Sequence, residues 1–293
     1  MLCDDIVISG ARAMARSYAK INLTLDVLGK RSDGYHEVEM IMQTVSLFDL
    51  IILDKCKDSI SVSTNLKYLP NNDKNIAYQA VKAFTEYTGI RGGAKIIIHK
   101  NIPVAAGLAG GSGNAAAVLC ALDMLYGTNL GTRELCEIGA RLGADVPYCI
   151  LGGTRLASGI GDTLKELPPM PDAYILLVKP KINVSTKDIY SEIDDAVISE
   201  HPDTAAVTAA LKNADIYAIA KNLRNVMESV TQKKYPQIAG IKNKMLLNGA
   251  LGAVMSGSGP TVFGIFNDYR KAKASADSFA YQYKDVYLAK TYN

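Results

Sequence analysis

A run rich in glycine and alanine constrains this chain most: Asn101-Ile102-Pro103-Val104-Ala105-Ala106-Gly107-Leu108-Ala109-Gly110-Gly111-Ser112-Gly113. It opens into an alanine-rich stretch at about 114–126 whose spacing predicts a helix. A strand at 95–99, carrying Ile96-Ile97-Ile98, precedes it. Glycines let a backbone approach an anion closely. The start of a helix adds free N–H groups and the positive end of its dipole. With the Ser112 hydroxyl, strand, loop and helix together make a phosphate cradle.

The segment does not fit G-x-x-x-x-G-K-[ST], so it is not a Walker loop. Gly111-Ser112-Gly113-Asn114-Ala115-Ala116 does fit the loose dinucleotide fingerprint G-x-G-x-x-A. A Rossmann-type oxidoreductase is therefore a competing reading. That fingerprint needs a short turn directly after its strand, whereas a long stretch including Pro103 separates Ile98 from Gly111. A glycine-rich turn without a ligand is the third possibility.

The 293 residues suffice for one large domain or two ordinary ones. The net charge of +3 is too small to point to nucleic acid. The five cysteines, Cys3, Cys56, Cys120, Cys136 and Cys149, are scattered and include no C-x-x-C, which argues against disulfides and zinc. No cluster has metal-ligand spacing. The acidic start and the lack of any run near about 20 apolar residues lead to the expectation of a cytoplasmic protein, with no membrane or obligate protein partner. Strand patterns fall at 18–27, 38–47, 49–53 and 60–63, with helices at 73–88 and 133–142. Beyond Pro168, Pro169 and Pro171, a strand at 174–178 precedes helices at 185–193, 204–213, 216–231 and 236–248. Strands at 253–255 and 261–266, a helix at 269–283 and a strand at 286–289 close the chain. The pattern reads as α+β in two blocks.

Three ordered segments resemble the GHMP kinases. Pro103-x-x-x-Gly107-Leu108-Ala109-Gly110-Gly111-Ser112 is similar to their ATP-binding motif, Ala19-Lys20-Ile21-Asn22-Leu23 to their first, and Met255-Ser256-Gly257-Ser258-Gly259-Pro260-Thr261 to their third. The resemblance implies an N-terminal domain like domain 2 of ribosomal protein S5 and a C-terminal ferredoxin-like α/β domain. Along this chain it implies an extension at 1–14, an ATP-binding domain at 15–167 and a second domain at 168–293. Because the match begins just after Met14, a start at Met14 is an expectation.

Gly29-Lys30-Arg31-Ser32-Asp33-Gly34-Tyr35-His36-Glu37 resembles the segment by which one branch of these kinases recognises the cytosine of a cytidine-diphosphate substrate. Tyr35 can stack on the base, worth about 1–3 kcal/mol, and His36 can pair with its edge. Tyr190 is the candidate for the other face. Gly143-Ala144-Asp145-Val146-Pro147 resembles the catalytic segment of that branch, which makes Asp145 the base or orienter of the attacking hydroxyl. Lys20 is then its cationic partner and Asn22 a substrate-side hydrogen-bonding group. Pro103, Val104, Ala105, Ala106, Gly107, Leu108, Ala109, Gly110, Gly111, Ser112 and Gly113 hold ATP, assisted by Gly257, Ser258 and Gly259. Magnesium arrives with ATP, held by phosphates and water. One departure stands out: the branch commonly has two serines after the paired glycines, and here the pair is Ser112-Gly113. The implied reaction is phosphorylation of a tertiary alcohol on a cytidine-diphosphate tetritol. A GHMP kinase with a different alcohol is the competitor within the class.

Overall fold

The computed structural model of the chain describes residues 5–293; residues 1–4, with Cys3 and most of the acidic start, lie outside the described residues. β1 (Ile6–Ser9) forms an antiparallel hairpin with the first part of β2 (Arg12–Lys30), Ile6 facing Ala15 and Ser9 facing Arg12. Residues 6–13 are thus built into a sheet, with Ala13 buried. β3 (His36–Cys56) is one strand where the sequence suggested two. Asp49 does not break it, because its buried carboxylate is paired with Lys100.

β4 (Ile60–Thr64) precedes α1 (Ile76–Thr88), which begins after the expected position because Asn75 caps it, accepting from the Ala77 N–H. Gly89, with φ at +69°, ends that helix. After β5 (Gly93–His99), α2 (Gly110–Tyr126) starts at the paired glycines, ahead of the alanine run, so these glycines are its first turn. α3 (Thr132–Ala140) leads to α4 (Asp145–Leu151), a helix to which the sequence pattern assigns no element. Pro147 lies in the first turn of α4, where its missing N–H breaks no intrahelical bond.

β6 (Thr154–Ser158), β7 (Thr163–Glu166) and β8 (Tyr174–Lys179) follow. Ser185 caps α5 (Thr186–Asp194) and Asp203 caps α6 (Thr204–Lys212). The single helix expected over 216–231 is two, α7 (Ile216–Lys221) and α8 (Val226–Lys234), separated by β9 (Arg224–Asn225). Asn225 is extended and caps α8 through the Met227 N–H, which forces the break. α9 (Gln237–Leu247), β10 (Gly252–Met255), β11 (Val262–Phe266), α10 (Tyr269–Ala280) and β12 (Asp285–Lys290) complete the chain.

Two compact units interleave along the sequence: Met1–Ala19, Phe48–Val104 and Ala109–Gly152 make the first, and Lys20–Leu47, Ala105–Leu108 and Gly153–Asn293 the second. In the first, β5 pairs antiparallel with β3 from Leu50 to Cys56 and parallel with β4. α1 packs on β4, β5 and α2, and α4 packs on α2 and α3. The core is aliphatic, with Leu53, Ile96, Phe84 and the Ala115–Leu122 stretch of α2 sealed from solvent.

In the second unit, β6 pairs with the first part of β3 and with β7, while β9 lies parallel to β2 at Thr24 and Leu25. A four-stranded antiparallel sheet in the order β10-β11-β8-β12 carries α9 and α10. The end of the chain is tied to β3: Thr291 bridges to Val45, and the Gln43 amide donates to the Tyr292 carbonyl at 3.0 Å. Among the described residues there is no doubly wound parallel sheet, which removes the Rossmann reading. No helix among them is long and apolar enough to cross a membrane.

Candidate active site

In the first unit, α2 opens without a side-chain cap, after Ala109 in the left-handed region at φ +54°. A helix start of this kind offers its first N–H groups to an anion. Its foundation is a buried polar cluster under the first turn. Asp49 Oδ1 accepts the Asn101 and Ile102 N–H groups at 2.7 and 2.8 Å, and Oδ2 accepts Lys100 Nζ. With its amide nitrogen turned to its acceptors, Asn114 donates to Asp49 at 2.9 Å, Gly110 O at 2.8 Å and Ser17 Oγ at 3.0 Å. One carboxylate thereby ties the entry of the glycine loop to its exit. Burial pushes the Asp49 carboxyl above the usual range despite the Lys100 ammonium.

Gly113 has a packing reason. A Cβ there would lie 2.6 Å from Ser17 Oγ and 3.2 Å from the Tyr18 carbonyl. The position that departs from the two-serine pattern is therefore pressed against β2. Asp145 is the first residue of α4, where a carboxylate is favoured by the helix dipole.

In the second unit, Lys20 is 5% exposed on β2 and donates through Nζ to Asn22 Oδ1 at 2.8 Å. The Lys20 N–H also donates to the Leu108 carbonyl at 3.2 Å, which places the middle of the glycine loop beside the first motif. Gly107, at φ +74°, touches the second glycine turn so closely that a Cβ would sit 2.1 Å from the Ser256 carbonyl. Ser256 Oγ donates to the Gly107 carbonyl at 2.9 Å. A Cβ on Gly257 would be 3.7 Å from Asn22 Oδ1. Lys20, Asn22, Gly107, Leu108 and the turn Ser256–Gly259 are thus one cluster, although they come from three distant stretches of sequence. The remaining residues of the glycine-rich stretch, Pro103, Val104 and Ala109 to Gly113, belong to the first unit, as does Asp145.

The turn before His36 is held by the Arg31 N–H donating to the Tyr35 carbonyl at 2.7 Å and by Asp33 accepting the Tyr35 N–H at 3.0 Å. Tyr35 is 62% exposed and so presents its ring to solvent. Tyr190, expected opposite Tyr35, stacks on His36, with centroids 4.5 Å apart and planes 18° from parallel. That spacing leaves no room for a base between those two rings. Asp194, which the sequence reading passed over, pairs with His36 Nε2 at 2.6 Å and with Lys30 Nζ at 2.8 Å. Lys30 first, then His36, holds its carboxyl below the usual range. These groups line a groove of about 530 Å³ that also meets His201, itself on Asp26 at 2.9 Å. Asn225, whose amide nitrogen donates to the Met255 and Gly257 carbonyls at 2.8 Å, and Glu228, which accepts the Met255 N–H at 2.8 Å, hold the second glycine turn and belong to no motif of the sequence analysis. The break in the helical pattern at Asn222-Leu223-Arg224-Asn225 was the available signal.

Two family models match this chain, the GHMP kinases N terminal domain over residues 75–153 and the GHMP kinases C terminal over residues 207–285. It is 49% identical over 279 residues to the 4-diphosphocytidyl-2-C-methyl-D-erythritol kinase of Alkaliphilus metalliredigens (strain QYMF), covering 95% of this chain and 96% of the relative. The enzyme of that name from Clostridium novyi (strain NT) is 47% identical, with 94% and 99% covered. A crystal structure of 4-(cytidine 5'-diphospho)-2C-methyl-D-erythritol kinase superposes with a TM-score of 0.82 at 29% identity, covering 96% of this chain and 99% of that one. L. major mevalonate kinase in complex with R-mevalonate, at 16% identity, TM-score 0.73 and coverage of 98% and 97%, shares the fold. The chain belongs to the 4-diphosphocytidyl-2-C-methyl-D-erythritol kinase family, within the GHMP kinases.

Proposed function

We propose that the protein transfers the γ-phosphoryl group of ATP to the tertiary 2-hydroxyl of 4-diphosphocytidyl-2-C-methyl-D-erythritol, a step of the non-mevalonate (methylerythritol phosphate) isoprenoid pathway. The observation that carries this reading is the near full-length identity to enzymes of that name, spanning both glycine segments and the Tyr35-His36 segment. The hydroxyl oxygen forms the new bond to phosphorus, the bond from the γ-phosphorus to the bridging oxygen breaks, and ADP leaves. Asp145 takes or orients the hydroxyl proton. Lys20, steadied by Asn22, offsets charge on the transferring group, because such transfer depends on positioning and electrostatic stabilisation. The residues from Pro103 to Gly113 hold the nucleotide, with Gly257, Ser258 and Gly259 completing the phosphate side. Tyr35 on one side and the stacked pair of His36 and Tyr190 on the other hold the cytosine.

Among the described residues no three His, Cys, Asp or Glu side chains group closely enough to make a metal cage. Magnesium is assigned to ATP, where it would neutralise phosphate charge, and no step is given to a protein-held ion. In domain terms, the nucleotide-binding part is residues 15–167 and the second domain residues 168–293, in a cytoplasmic enzyme with a small-molecule substrate.

Mixing the protein with ATP, magnesium and this alcohol should release ADP and give a new phosphomonoester signal by phosphorus NMR. Asp145→Asn should lower kcat by about 10²–10⁴-fold. Undiminished turnover by that variant would take Asp145 out of the mechanism. Turnover with mevalonate or homoserine alone would leave a GHMP kinase whose alcohol had been misassigned.

A further inference from the structure

Asn225 occupies one residue of β9 and does three things at once. It continues the parallel pairing with Leu25 of β2, and its Oδ1 caps α8 by accepting the Met227 N–H at 2.9 Å. Its amide nitrogen donates to the carbonyls of Met255 and Gly257, both at 2.8 Å. All three hydrogen bonds of the side chain go to backbone, and the residue is 4% exposed. Glu228, one turn into α8, adds a further clasp: Oε2 accepts the Met255 N–H at 2.8 Å while Lys242 neutralises Oε1. The start of α8 thus holds the strand end and the glycine turn from one side.

Gripping a carbonyl has a consequence on the other side of its peptide. The only cis bond among the described residues is Gly259-Pro260, so the 257–258 peptide is trans. Its C=O and N–H therefore point in opposite directions within one plane. With the Gly257 carbonyl turned into Asn225, the Ser258 N–H is turned away from it. Among the described residues that N–H has no acceptor. The neighbouring peptide obeys the same geometry but is satisfied: the Met255 carbonyl faces Asn225, and the Ser256 N–H donates to the Thr261 carbonyl at 2.9 Å. Gly257, at φ +56°, has the conformational freedom to let this peptide rotate if nothing held it.

We propose that Asn225 is a positioning residue of the nucleotide site, whose amide sets the 257–258 peptide so that the Ser258 N–H is presented as a donor to a phosphate of ATP. The inference rests on reading the turn Ser256–Gly259 as part of that site. Glu228 supports it by fixing the strand end from which the turn departs. A backbone N–H to a charged oxygen is among the stronger hydrogen bonds, so misdirecting it should weaken ATP binding by about tenfold or more.

The test separates orientation from stability. Asn225→Asp keeps the cap acceptor for Met227 but replaces the donor to both carbonyls with an oxygen. Asn225→Ser keeps a capping hydroxyl and lacks the amide. Asp268→Ala removes the cap of α10 and touches neither glycine segment, which makes it the control for loss of stability alone. Calorimetric titration with ATP and steady-state kinetics with both substrates would be read beside each variant's melting temperature. Both Asn225 variants should raise the Kd and KM for ATP about tenfold or more, leave the KM for the cytidine substrate within about twofold, and melt no lower than the control. If Asn225→Asp does not fold, Asn225→Ser decides. Unchanged ATP affinity in a folded variant, or a defect no different from that of Asp268→Ala, would overturn the proposal. A wild-type protein that binds ATP but leaves the cytidine alcohol unphosphorylated would refute the substrate reading and leave the ATP titration to judge Asn225.

Discussion

Gly107 is where the backbone of the glycine-rich stretch 103–113 meets that of the second glycine turn, and two separate effects exclude a side chain there. The left-handed φ of +74° disfavours any L residue, and the Ser256 carbonyl already occupies the space a Cβ would need. Gly89, at the end of α1, isolates the first effect: its φ is +69° and nothing lies within 4 Å of a Cβ. Gly89→Ala should cost about 1–2 kcal/mol with activity retained. Gly107→Ala should cost more than about 2–3 kcal/mol and weaken ATP binding. Urea midpoints and an ATP titration would check both, and equal costs at the two positions would show that the close approach carries no energy. Gly113 belongs to the same family of effects. The glycine-for-serine departure was legible in the sequence, but its partner, Ser17, was not. Residues far apart along the chain reveal their contact only when β2 and α2 pack.

At the scale of elements, the clasp of Asp49, Lys100 and Asn114 joins β3, the loop entry and α2. Removing one member of a buried ion pair leaves the other charge unpaired, at a cost of about 3–5 kcal/mol. Lys100→Met should show a loss of that order in urea unfolding, whereas Asp49→Asn, which mimics the neutral carboxyl that burial favours, should lose less. The double variant should lose clearly less than the sum, since neither then strands a charge; strict additivity would mean the pair is not coupled. The pH dependence has a definite sign. The folded-state pKa of Asp49 is raised by burial, so the folded protein binds this proton more tightly than the unfolded chain. The resulting stabilisation is fully present below the unfolded value of about 3.9 and is lost as pH rises through the folded value. Asp49→Asn should remove that fall from the curve of stability against pH. The opposite case is Asp194, whose depressed pKa gives a contribution that is lost only as the solution is acidified below the ordinary carboxylate range.

For the whole molecule, the interleaving matters most. β2 passes from the first unit to the second at Ala19-Lys20, and β3 passes back at Leu47-Phe48. The second unit therefore needs the stretch Lys20–Leu47. That stretch supplies Thr24 and Leu25 to β9, Met40 to Gln43 to β6, and Val45 and Ser46 to the chain end. A fragment of residues 168–293 begins at the boundary expected from the Pro cluster and lacks all of these partners. It should fail to give a cooperative thermal transition by circular dichroism, whereas the intact chain should melt cooperatively. A sharp transition in the fragment would show that the second domain folds without β2 and β3.

The resemblance to the GHMP kinases singled out Lys20, Asp145 and the Tyr35-His36 segment as expectations, while pattern and local propensity were enough to read the α+β class and the helix after the glycine loop. These depend on neighbours in sequence, where residue type acts directly through helix propensity, turn chemistry and alternation. The same information could not reveal that Asn225 breaks a helix in order to hold a distant turn, or that Asp194 rather than a solvent-facing residue meets His36. Nor could it show that Tyr190 stacks on the His36 ring. Such pairings are chosen by packing. A buried amide or carboxylate must find partners wherever the fold brings donors and acceptors within reach, and only the tertiary structure decides which these are.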